Sequence, residues 1–357
     1  MYRNLSLAGQ LPLTFLLLAQ IAYAQTTDGA KSPPGKARTA PLILAEQGSF
    51  FVNEQQVETN FPTGAGTPVP GHISVKGMYV QYQIPRTRSR TVYPIILVHG
   101  SGHTGKTYEE TPDGRMGWGD YFVRQGVSVY IVDHSGRARS GFDPSPTNRA
   151  KFENKADLVP SFQEFTNEAA WTTFRFGPSA FVPYEATKFP VQAKEQYFAQ
   201  IVPNTETSYA EGGRTTILAL AALLDRIGPA MILVHSQSGA YGIGAAIERP
   251  DLVKAVVSVE PSSCMVTDAD LQRVFTRVPL LTMFGDFFGT DVGDWPGRMA
   301  ECVDTVNRIK AARGIAENVH LPDRGIRGNS HMLMMDTNNQ QLADIILAWL
   351  GRAARIR

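Results

Sequence analysis

Short apolar runs alternate with amphipathic segments of helical period along most of this chain. The apolar runs predict eight strands, at Ser49–Val52, Ile73–Gln83, Pro94–Val98, Ser128–Val132, Ala230–Val234, Ala255–Val259, Leu280–Phe284 and Val319–Leu321. The amphipathic segments predict helices at Gly117–Gln125, Thr215–Ile227, Ala240–Glu248, Asp268–Thr276, Arg298–Arg313 and Asn339–Leu350. Because strands that alternate with helices form a mostly parallel sheet covered on both faces, the predicted fold class is α/β.

The alternation breaks in one long segment, between Phe142 and Gly212. This segment contains 13 aromatic residues and scattered prolines, without a clear period. Such a composition predicts a lid packed over an apolar pocket, while an ordinary subdomain with a small core of its own is the open alternative. Three aromatic side chains of the segment are expected to contact a substrate: Trp171, Phe174 and Phe176. The predicted organisation is a core formed by residues 42–141 and 212–357, with a lid inserted at residues 142–211.

The first residues have the features of a secretory signal peptide. Arg3 supplies a positive charge, Leu11–Ile21 forms a short apolar core, and Ala22–Ala24 is a cleavage site of the A-x-A kind. We therefore expect residues 1–24 to be removed after Ala24, and residues 25–41 to form a flexible linker. The mature protein is expected in the periplasm or outside the cell.

Export to an oxidising compartment changes the interpretation of the only two cysteines, Cys264 and Cys302. In such a compartment we expect them to form one disulfide, which contributes about 4 kcal/mol in the chain-entropy model. Two free buried cysteines are the alternative. Two cysteines make no metal site by themselves, and we expect neither a metal ion nor another cofactor.

The charges of the chain are nearly balanced, with 34 Lys and Arg against 33 Asp and Glu. Such a balance gives no basic surface for nucleic acid or for an anionic membrane. Beyond the N-terminus, no apolar run reaches the length of about 18 residues that indicates a transmembrane helix. We therefore expect neither nucleic acid nor a membrane as a partner after signal cleavage.

The strand at Ala230–Val234 ends abruptly in His235 and Ser236, and small residues and a helical pattern follow. A residue at such a strand-to-helix turn has a strained backbone and an exposed side chain, and a serine there indicates a nucleophile. Two serines are candidates. Small residues flank Ser238 at the spacing expected of a nucleophile, which favours Ser238. The apolar strand ends closer to Ser236, which favours Ser236.

A second motif lies at Gly100–Thr107, where G-S-G-H-T-G-K-T matches the phosphate-binding pattern G-x-x-x-x-G-K-[ST]. A later strand ends in Asp133 and resembles the acidic strand that holds magnesium in such proteins. However, Pro112 and Gly114 interrupt the helix that should begin at Lys106. Nucleoside triphosphates are also scarce outside the cell, so nucleotide binding is the disfavoured interpretation.

The chain resembles the α/β-hydrolase superfamily in His99–Gly100, in the strand-to-helix turn and in D-H-S-G-R-A-R-S-G at Asp133–Gly141. More narrowly, it resembles a small family of secreted bacterial esterases over nearly the whole mature chain. Five segments carry this resemblance: Thr111–Trp118, Phe174–Pro178, Val234–Gly239, Val257–Pro261 and Gly328–Met332. The resemblance implies an α/β-hydrolase fold with a mostly parallel eight-stranded sheet and an inserted lid. It also implies ester hydrolysis and a homodimer.

The resemblance also implies which serine attacks. The superfamily commonly uses the serine that directly follows a histidine, and the esterase family has its nucleophile there, which favours Ser236. Ser238 is then a small residue required by helix packing. The backbone N–H groups of Ser101 and Gln237 are expected to form the oxyanion hole. The loop residues expected to contact the substrate are Gly100, Gly102 and His103.

The general base is expected after the last strand, because the chain order in this superfamily is Ser, acid, His. His331 lies in a glycine-rich loop between the final strand and the final helix. The acid that orients it is either Glu260, after the sixth strand, or Asp286, after the seventh. The esterase family favours Glu260, whereas most α/β-hydrolases have the acid at the position of Asp286. If Glu260 is the acid, Asp286 is expected to bind backbone donors in its own loop.

These observations predict an exported serine hydrolase that cleaves small-molecule carboxylic esters through an acyl-enzyme. Ser236, His331 and Glu260 are its expected nucleophile, base and acid. A catalytically silent binding protein of the same fold is the alternative from another class, because a fold alone does not imply chemistry. A nucleotide-binding protein that uses Gly100–Thr107 is the third interpretation.

Overall fold

The strands of this protein form one large sheet and one small one. The computed structural model describes residues 40–61, 69–89, 92–204, 209–289 and 293–354, so the predicted signal peptide and nearly all of the predicted linker lie outside the described residues. The strands are β1 (Leu44–Val52), β2 (Gln55–Phe61), β3 (Val69–Val75), β4 (Met78–Pro85), β5 (Ile95–Val98), β6 (Val129–Val132), β7 (Ala230–His235), β8 (Val253–Val259), β9 (Leu280–Phe284) and β10 (Ala316–His320).

Eight of these strands form the large sheet, in the order β1-β4-β6-β5-β7-β8-β9-β10, while β2 and β3 pair with each other. Neighbouring strands are parallel from β6 through β5, β7, β8 and β9 to β10. The pairs β1–β4 and β4–β6 are antiparallel. The predicted mostly parallel, eight-stranded sheet is therefore confirmed.

The described residues also form nine α-helices, most of which pack against this sheet. They are α1 (Trp118–Arg124), α2 (Ser145–Glu153), α3 (Asn167–Thr173), α4 (Lys194–Phe198), α5 (Tyr209–Ile227), α6 (Gly239–Glu248), α7 (Asp268–Asp270), α8 (Trp295–Ala311) and α9 (Asn339–Ala353). The helix predicted at Asp268–Thr276 is irregular, since α7 continues into a π-helical turn at Leu271–Phe275. Within the described ranges, no helix has the length and apolar character that crossing a membrane requires.

Successive residues of the central strands pack into two different apolar cores. In β5, Ile95 and Leu97 belong to one core, which also contains side chains of α1 and α9. Ile96 and Val98 belong to the other core, which contains side chains of α5, α6 and α8. Because both faces of the sheet are covered in this way, the central strands are continuous apolar runs rather than alternating ones.

One predicted strand was wrong, the single strand at Ile73–Gln83. The structure divides it into β3, in the small sheet, and β4, in the large sheet. The chain turns at Lys76, whose φ of +61° is incompatible with an extended strand, and at Gly77. The partner of β3 in the small sheet is β2, which the apolar pattern did not predict because most of its side chains are polar.

The predicted disulfide between Cys264 and Cys302 is confirmed. Both residues are fully buried. Cys264 lies in the loop after β8, and Cys302 lies in the middle of α8. The disulfide therefore joins two segments that reach the candidate active site, the loop that begins with Glu260 and the helix that begins with Trp295.

Candidate active site

Ser236 lies at a sharp turn between β7 and α6. All residues of β7 are buried, a single 3-10 turn spans Ser236–Ser238, and α6 begins at Gly239. Ser236 has a φ of +55°, in the left-handed region that costs a non-glycine residue on the order of 1 kcal/mol. The turn lies at the carboxyl end of a parallel strand, where α/β proteins bind their ligands, and Ser236 lines a pocket there.

Ser238, the competing serine, is fully buried beneath this turn. Its hydroxyl donates a hydrogen bond to the carbonyl oxygen of His99. Nε2 of His134 lies 2.8 Å from the same hydroxyl. Because the Ser238 proton is engaged by the carbonyl, Nε2 of His134 is the donor in the second contact. Ser238 thus joins three segments of the core and does not line the pocket of Ser236.

Two glycines permit the close packing around the turn. A Cβ atom on Gly100 would lie 2.7 Å from Nδ1 of His235 and 2.9 Å from Cβ of Ser236. A Cβ atom on Gly239 would lie 2.7 Å from Cβ of Pro261. Any larger residue at either position would collide with these neighbours. The loops after β5 and β8 therefore lie directly against the turn that carries Ser236.

His331 and Glu260 form a buried pair beside this turn. Nδ1 of His331 lies 3.0 Å from Oε2 of Glu260, and the two side chains are 1% and 0% exposed. The other ring nitrogen, Nε2, has no hydrogen-bond partner among the described residues, and His331 lines the same pocket as Ser236. The histidine is further fixed by Phe174, whose carbonyl oxygen accepts from the His331 N–H at 3.0 Å. Its ring also stacks on the imidazole.

The second oxygen of Glu260 binds Arg175, a residue of the inserted segment. Nη2 of Arg175 lies 2.6 Å from Oε1 of Glu260, and both side chains are fully buried. The N–H of Gly285 also donates to Oε1. Glu260 itself has a φ of +51°, so its backbone is strained like that of Ser236. With both oxygens engaged, the carboxylate has one orientation towards His331.

Asp286, the alternative acid, has different partners. Its carboxylate oxygens accept from the N–H groups of Phe287, at 2.8 Å, and Gly328, at 3.0 Å. Its carbonyl oxygen accepts from Nε of Arg175. The carboxylate thus joins the loop after β9 to the loop that carries His331. The structure brings Glu260 to Nδ1 of the histidine and places the Asp286 carboxylate on backbone donors.

The surroundings of His331 favour its neutral form. Burial, and next the positive charge of Arg175, hold the pKa of His331 well below its ordinary value of 6.5. At neutral pH the imidazole therefore carries its proton on Nδ1, facing Glu260, and leaves Nε2 as an acceptor. This is the tautomer that a general base needs.

A buried carboxyl group, that of Asp336, fixes the loop before His331. Its oxygens accept from Nδ2 of Asn329 at 2.8 Å and from the N–H and hydroxyl of Ser330 at 2.9 and 2.7 Å. Burial outweighs these bonds and raises the pKa of Asp336 to about 6. Because the folded pKa is above the ordinary value, Asp336 contributes stability at low pH that is lost as the pH rises through about 6.

The two predicted oxyanion-hole residues, Ser101 and Gln237, line the same pocket as Ser236. The side-chain amide of Gln237 donates to the hydroxyl of Tyr241 at 2.8 Å. The loop that carries Ser101 is held by His103, whose Nδ1 donates to the Ser101 carbonyl oxygen at 2.7 Å. Nε2 of His103 lies 3.0 Å from the hydroxyl of Tyr197. His103 is therefore buried behind the loop and holds it in place.

The segment that resembles a phosphate loop lacks the long helix of that motif. A four-residue 3-10 helix, Gly105–Tyr108, stands in its place. Nζ of Lys106 donates to the carbonyl oxygen of Glu110 at 2.9 Å. The Asp133 carboxylate accepts from the Gly105 N–H and from Nε of Arg139, each at 2.6 Å. Across the described ranges, no group of three or more His, Cys, Asp or Glu could hold a metal ion.

The pocket of Ser236 and His331 has a volume of about 740 Å³. Its apolar wall includes Phe165 and Phe174, which the inserted segment contributes. Of the three aromatic residues predicted to contact a substrate, Phe174 lines this pocket. The inserted segment also contributes buried aromatic side chains to the core that contains Ile95. It therefore forms both part of the pocket wall and part of a core.

The other predicted contact residues do not line this pocket. The indole N–H of Trp171 donates to the carbonyl oxygen of Val182 at 3.2 Å. The ring of Phe176 stacks on that of Phe189, with centroids 3.5 Å apart. Gly102 lines a smaller adjoining pocket of about 190 Å³. Gly100 packs against the turn that carries Ser236. His103 is buried behind the loop that carries Ser101.

The sequence did not predict several residues of the site, among them Arg175 and Trp295. The Trp295 ring centroid lies 4.3 Å from that of His331, and the guanidinium of Arg175 lies 4.7 Å from the Trp295 ring. A signal for Arg175 was present, because a charge between two phenylalanines in a buried segment requires a partner. Trp295 precedes the predicted start of its helix at Arg298, and no motif of the sequence includes it.

Comparison with known proteins identified similarity along most of the chain. No protein-family model matches it. The structure of a bacterial esterase is 40% identical in sequence, covers 90% of this chain and 99% of its own, and superposes with a TM-score of 0.83. A protein described as the probable secreted lipase phiG, from a fungus (strain ATCC 74256), is 27% identical and covers 81% of this chain and 91% of its own length.

Proposed function

Because this chain belongs to the same α/β-hydrolase family as the bacterial esterase and is a carboxylic ester hydrolase, we propose that Ser236, His331 and Glu260 are its catalytic triad. The observation that carries the proposal is the buried contact of 3.0 Å between Nδ1 of His331 and Oε2 of Glu260, beside a serine with a left-handed backbone. Glu260 fixes the tautomer of the histidine and stabilises the imidazolium that forms during reaction.

The proposed reaction proceeds in two steps through an acyl-enzyme. Oγ of Ser236 attacks the ester carbonyl carbon while Nε2 of His331 takes the hydroxyl proton. The N–H groups of Ser101 and Gln237 bind the oxyanion of the tetrahedral intermediate. The C–O bond then breaks, and His331 returns the proton to the leaving alcohol. In the second step, water attacks the acyl-serine with the same base, which releases the acid and restores Ser236.

The inserted segment, residues 142–211, is proposed to act as the lid of a core formed by residues 42–141 and 212–357. Phe165 and Phe174 support this role, because they bring apolar surface from the segment to the pocket of Ser236. An apolar wall of this kind favours the hydrophobic part of a small-molecule ester.

We also propose that the protein is exported and cleaved after Ala24. The charged start, short apolar core and A-x-A sequence of the first 24 residues support this. The Cys264–Cys302 disulfide supports it too, because disulfides persist in oxidising compartments. The similar fungal protein is itself described as a secreted lipase.

The acyl-enzyme predicts a common product ratio for different esters of the same acid. Two such esters, with different leaving alcohols, are hydrolysed in the same mixture of water and methanol. Because both pass through one acyl-serine, we expect identical ratios of methyl ester to free acid. The ratios are measured by chromatography, with the uncatalysed reaction as control. Ratios that depend on the leaving alcohol would contradict a common intermediate.

The lowered pKa of His331 predicts an unusually acidic lower limit of activity. The base form of the histidine is required, and its pKa in the free enzyme lies well below 6.5. We therefore expect kcat/KM for a neutral ester to stay constant between about pH 8 and 6.5 and to fall only at lower pH. Folding is monitored by circular dichroism at each pH. A fall in kcat/KM that begins above pH 6.5 in the folded protein would contradict the assignment.

A further inference from the structure

Two guanidinium groups border the pocket of Ser236 and His331, those of Arg214 and Arg298. The described lining of this pocket includes no carboxylate, and apart from the two arginines it is apolar or uncharged when His331 is neutral. Positive charge on the wall of an apolar cavity raises the local concentration of anionic ligands. The pocket is therefore electrostatically asymmetric.

The two arginines differ in their partners. Nη1 of Arg214 lies 2.5 Å from Oε1 of Glu248, so its charge is compensated. Arg298 is half-buried and makes no ion pair within the part of the chain that the structure describes. Its guanidinium lies 4.8 Å from the Trp295 ring centroid. Arg298 is also in the first turn of α8, where the helix dipole disfavours a cation. Among the described residues, the Trp295 ring is therefore the one group seen to stabilise this charge, and no carboxylate is seen to balance it.

Trp295 links Arg298 to the reacting groups. The indole ring of Trp295 contacts the guanidinium of Arg298. The centroid of the same ring lies 4.3 Å from the centroid of the His331 ring. Arg298 is thus one aromatic side chain away from the proposed general base. Ser236 and Arg298 line the same cavity, so an ester bound with its carbonyl carbon at Ser236 can extend towards this guanidinium.

The chemistry of the Arg298 guanidinium, which pairs with no carboxylate of the described residues, indicates which anion fits. Its planar fork of N–H donors matches a carboxylate, and one positive charge balances one negative charge. A phosphate monoester carries about −1.5 to −2 charges at pH 7 and would remain partly uncompensated. We propose that the substrate is an ester that also carries a free carboxylate group, and that Arg298 binds this carboxylate. The proposal rests on the function proposed above.

Matched pairs of esters test this specificity. One pair carries the carboxylate on the acyl side, mono-p-nitrophenyl glutarate against p-nitrophenyl valerate. The other carries it on the alcohol side, 3-carboxyphenyl acetate against phenyl acetate. In at least one pair we expect kcat/KM of the wild-type protein to be about tenfold or more higher for the carboxylate ester, mainly through KM. In Arg298→Met, the ratio of kcat/KM for the carboxylate ester to kcat/KM for its neutral partner is expected to fall by about tenfold or more. Arg298→Lys should restore part of this ratio.

The ratio is measured within one variant, so it does not depend on how much of that variant is folded. Lys310→Met is the matched control, because Lys310 is an exposed cation on the same helix, about 18 Å further along its axis. It should keep the wild-type ratio. Equal rates within both pairs for the wild-type protein, or an unchanged ratio in Arg298→Met, would overturn the inference. If the wild-type protein hydrolyses none of the four esters, the result would instead count against the proposed function.

Discussion

Replacing Ser236 with alanine is expected to lower kcat by about 10⁴- to 10⁶-fold, the range found when the nucleophile of a triad is removed. The substitution removes the only atom proposed to form a bond with the substrate, while binding and the oxyanion donors remain. The fold should be kept, because Ser236 has no role in a core network and alanine fits the same space. The measurement is the rate of ester hydrolysis by the purified variant. A second, independent preparation of the same variant shows whether a contaminating esterase contributes to the residual rate.

Ser238→Ala is the matched control for this result. It removes a buried hydroxyl that contacts the carbonyl oxygen of His99 and the imidazole of His134. Leaving these groups without a partner should lower the free energy of unfolding by about 1–3 kcal/mol. The kcat of the folded fraction should nevertheless remain within about tenfold of the wild-type value. Loss of activity in Ser238→Ala with retention in Ser236→Ala would reverse the assignment of the nucleophile.

The second large effect is expected from Glu260→Gln, which keeps the shape of the side chain and removes its charge. The amide cannot stabilise the imidazolium of His331, and it favours the wrong tautomer, so kcat should fall by about 10³- to 10⁴-fold. The same change leaves the buried Arg175 without its anionic partner. Breaking a buried pair in this way costs about 3–5 kcal/mol, so folding is measured by thermal melting alongside the kinetics.

Asp286→Asn separates the two candidate acids. The Asp286 carboxylate accepts from the N–H groups of Phe287 and Gly328, and the amide oxygen of asparagine can accept one of these bonds. We therefore expect a modest loss of stability and a kcat within about tenfold of the wild-type value. Full activity in Glu260→Gln together with a large loss in Asp286→Asn would show that Asp286 is the acid.

The central strands were predictable because both of their faces are covered by helices. Ile95–Val98 and Ala230–His235 are continuous apolar runs for this reason, and their ends place Ser101 and Ser236 at one edge of the sheet. The small sheet was not predictable in the same way. Its strand β2 has few apolar residues, and the turn at Lys76 depends on a left-handed backbone that lysine rarely adopts.

The side chains of the inserted segment show where sequence alone is insufficient. Trp171, Phe174 and Phe176 lie within six residues of one another, yet only Phe174 lines the pocket of Ser236. The segment has no regular period, so nothing in the sequence indicates which ring faces the pocket and which faces the core. The position of Arg175 between two phenylalanines indicates that it needs a partner, but the sequence does not identify Glu260, which is 85 residues away along the chain.

Covalent labelling shows directly whether Ser236 is the nucleophile. The protein is treated with a fluorophosphonate probe, digested, and analysed by mass spectrometry to find the modified residue. We expect one stoichiometric adduct on Ser236, slower labelling in Glu260→Gln, and none in Ser236→Ala. An adduct on Ser238 or on another residue, or undiminished labelling of Ser236→Ala, would contradict this assignment.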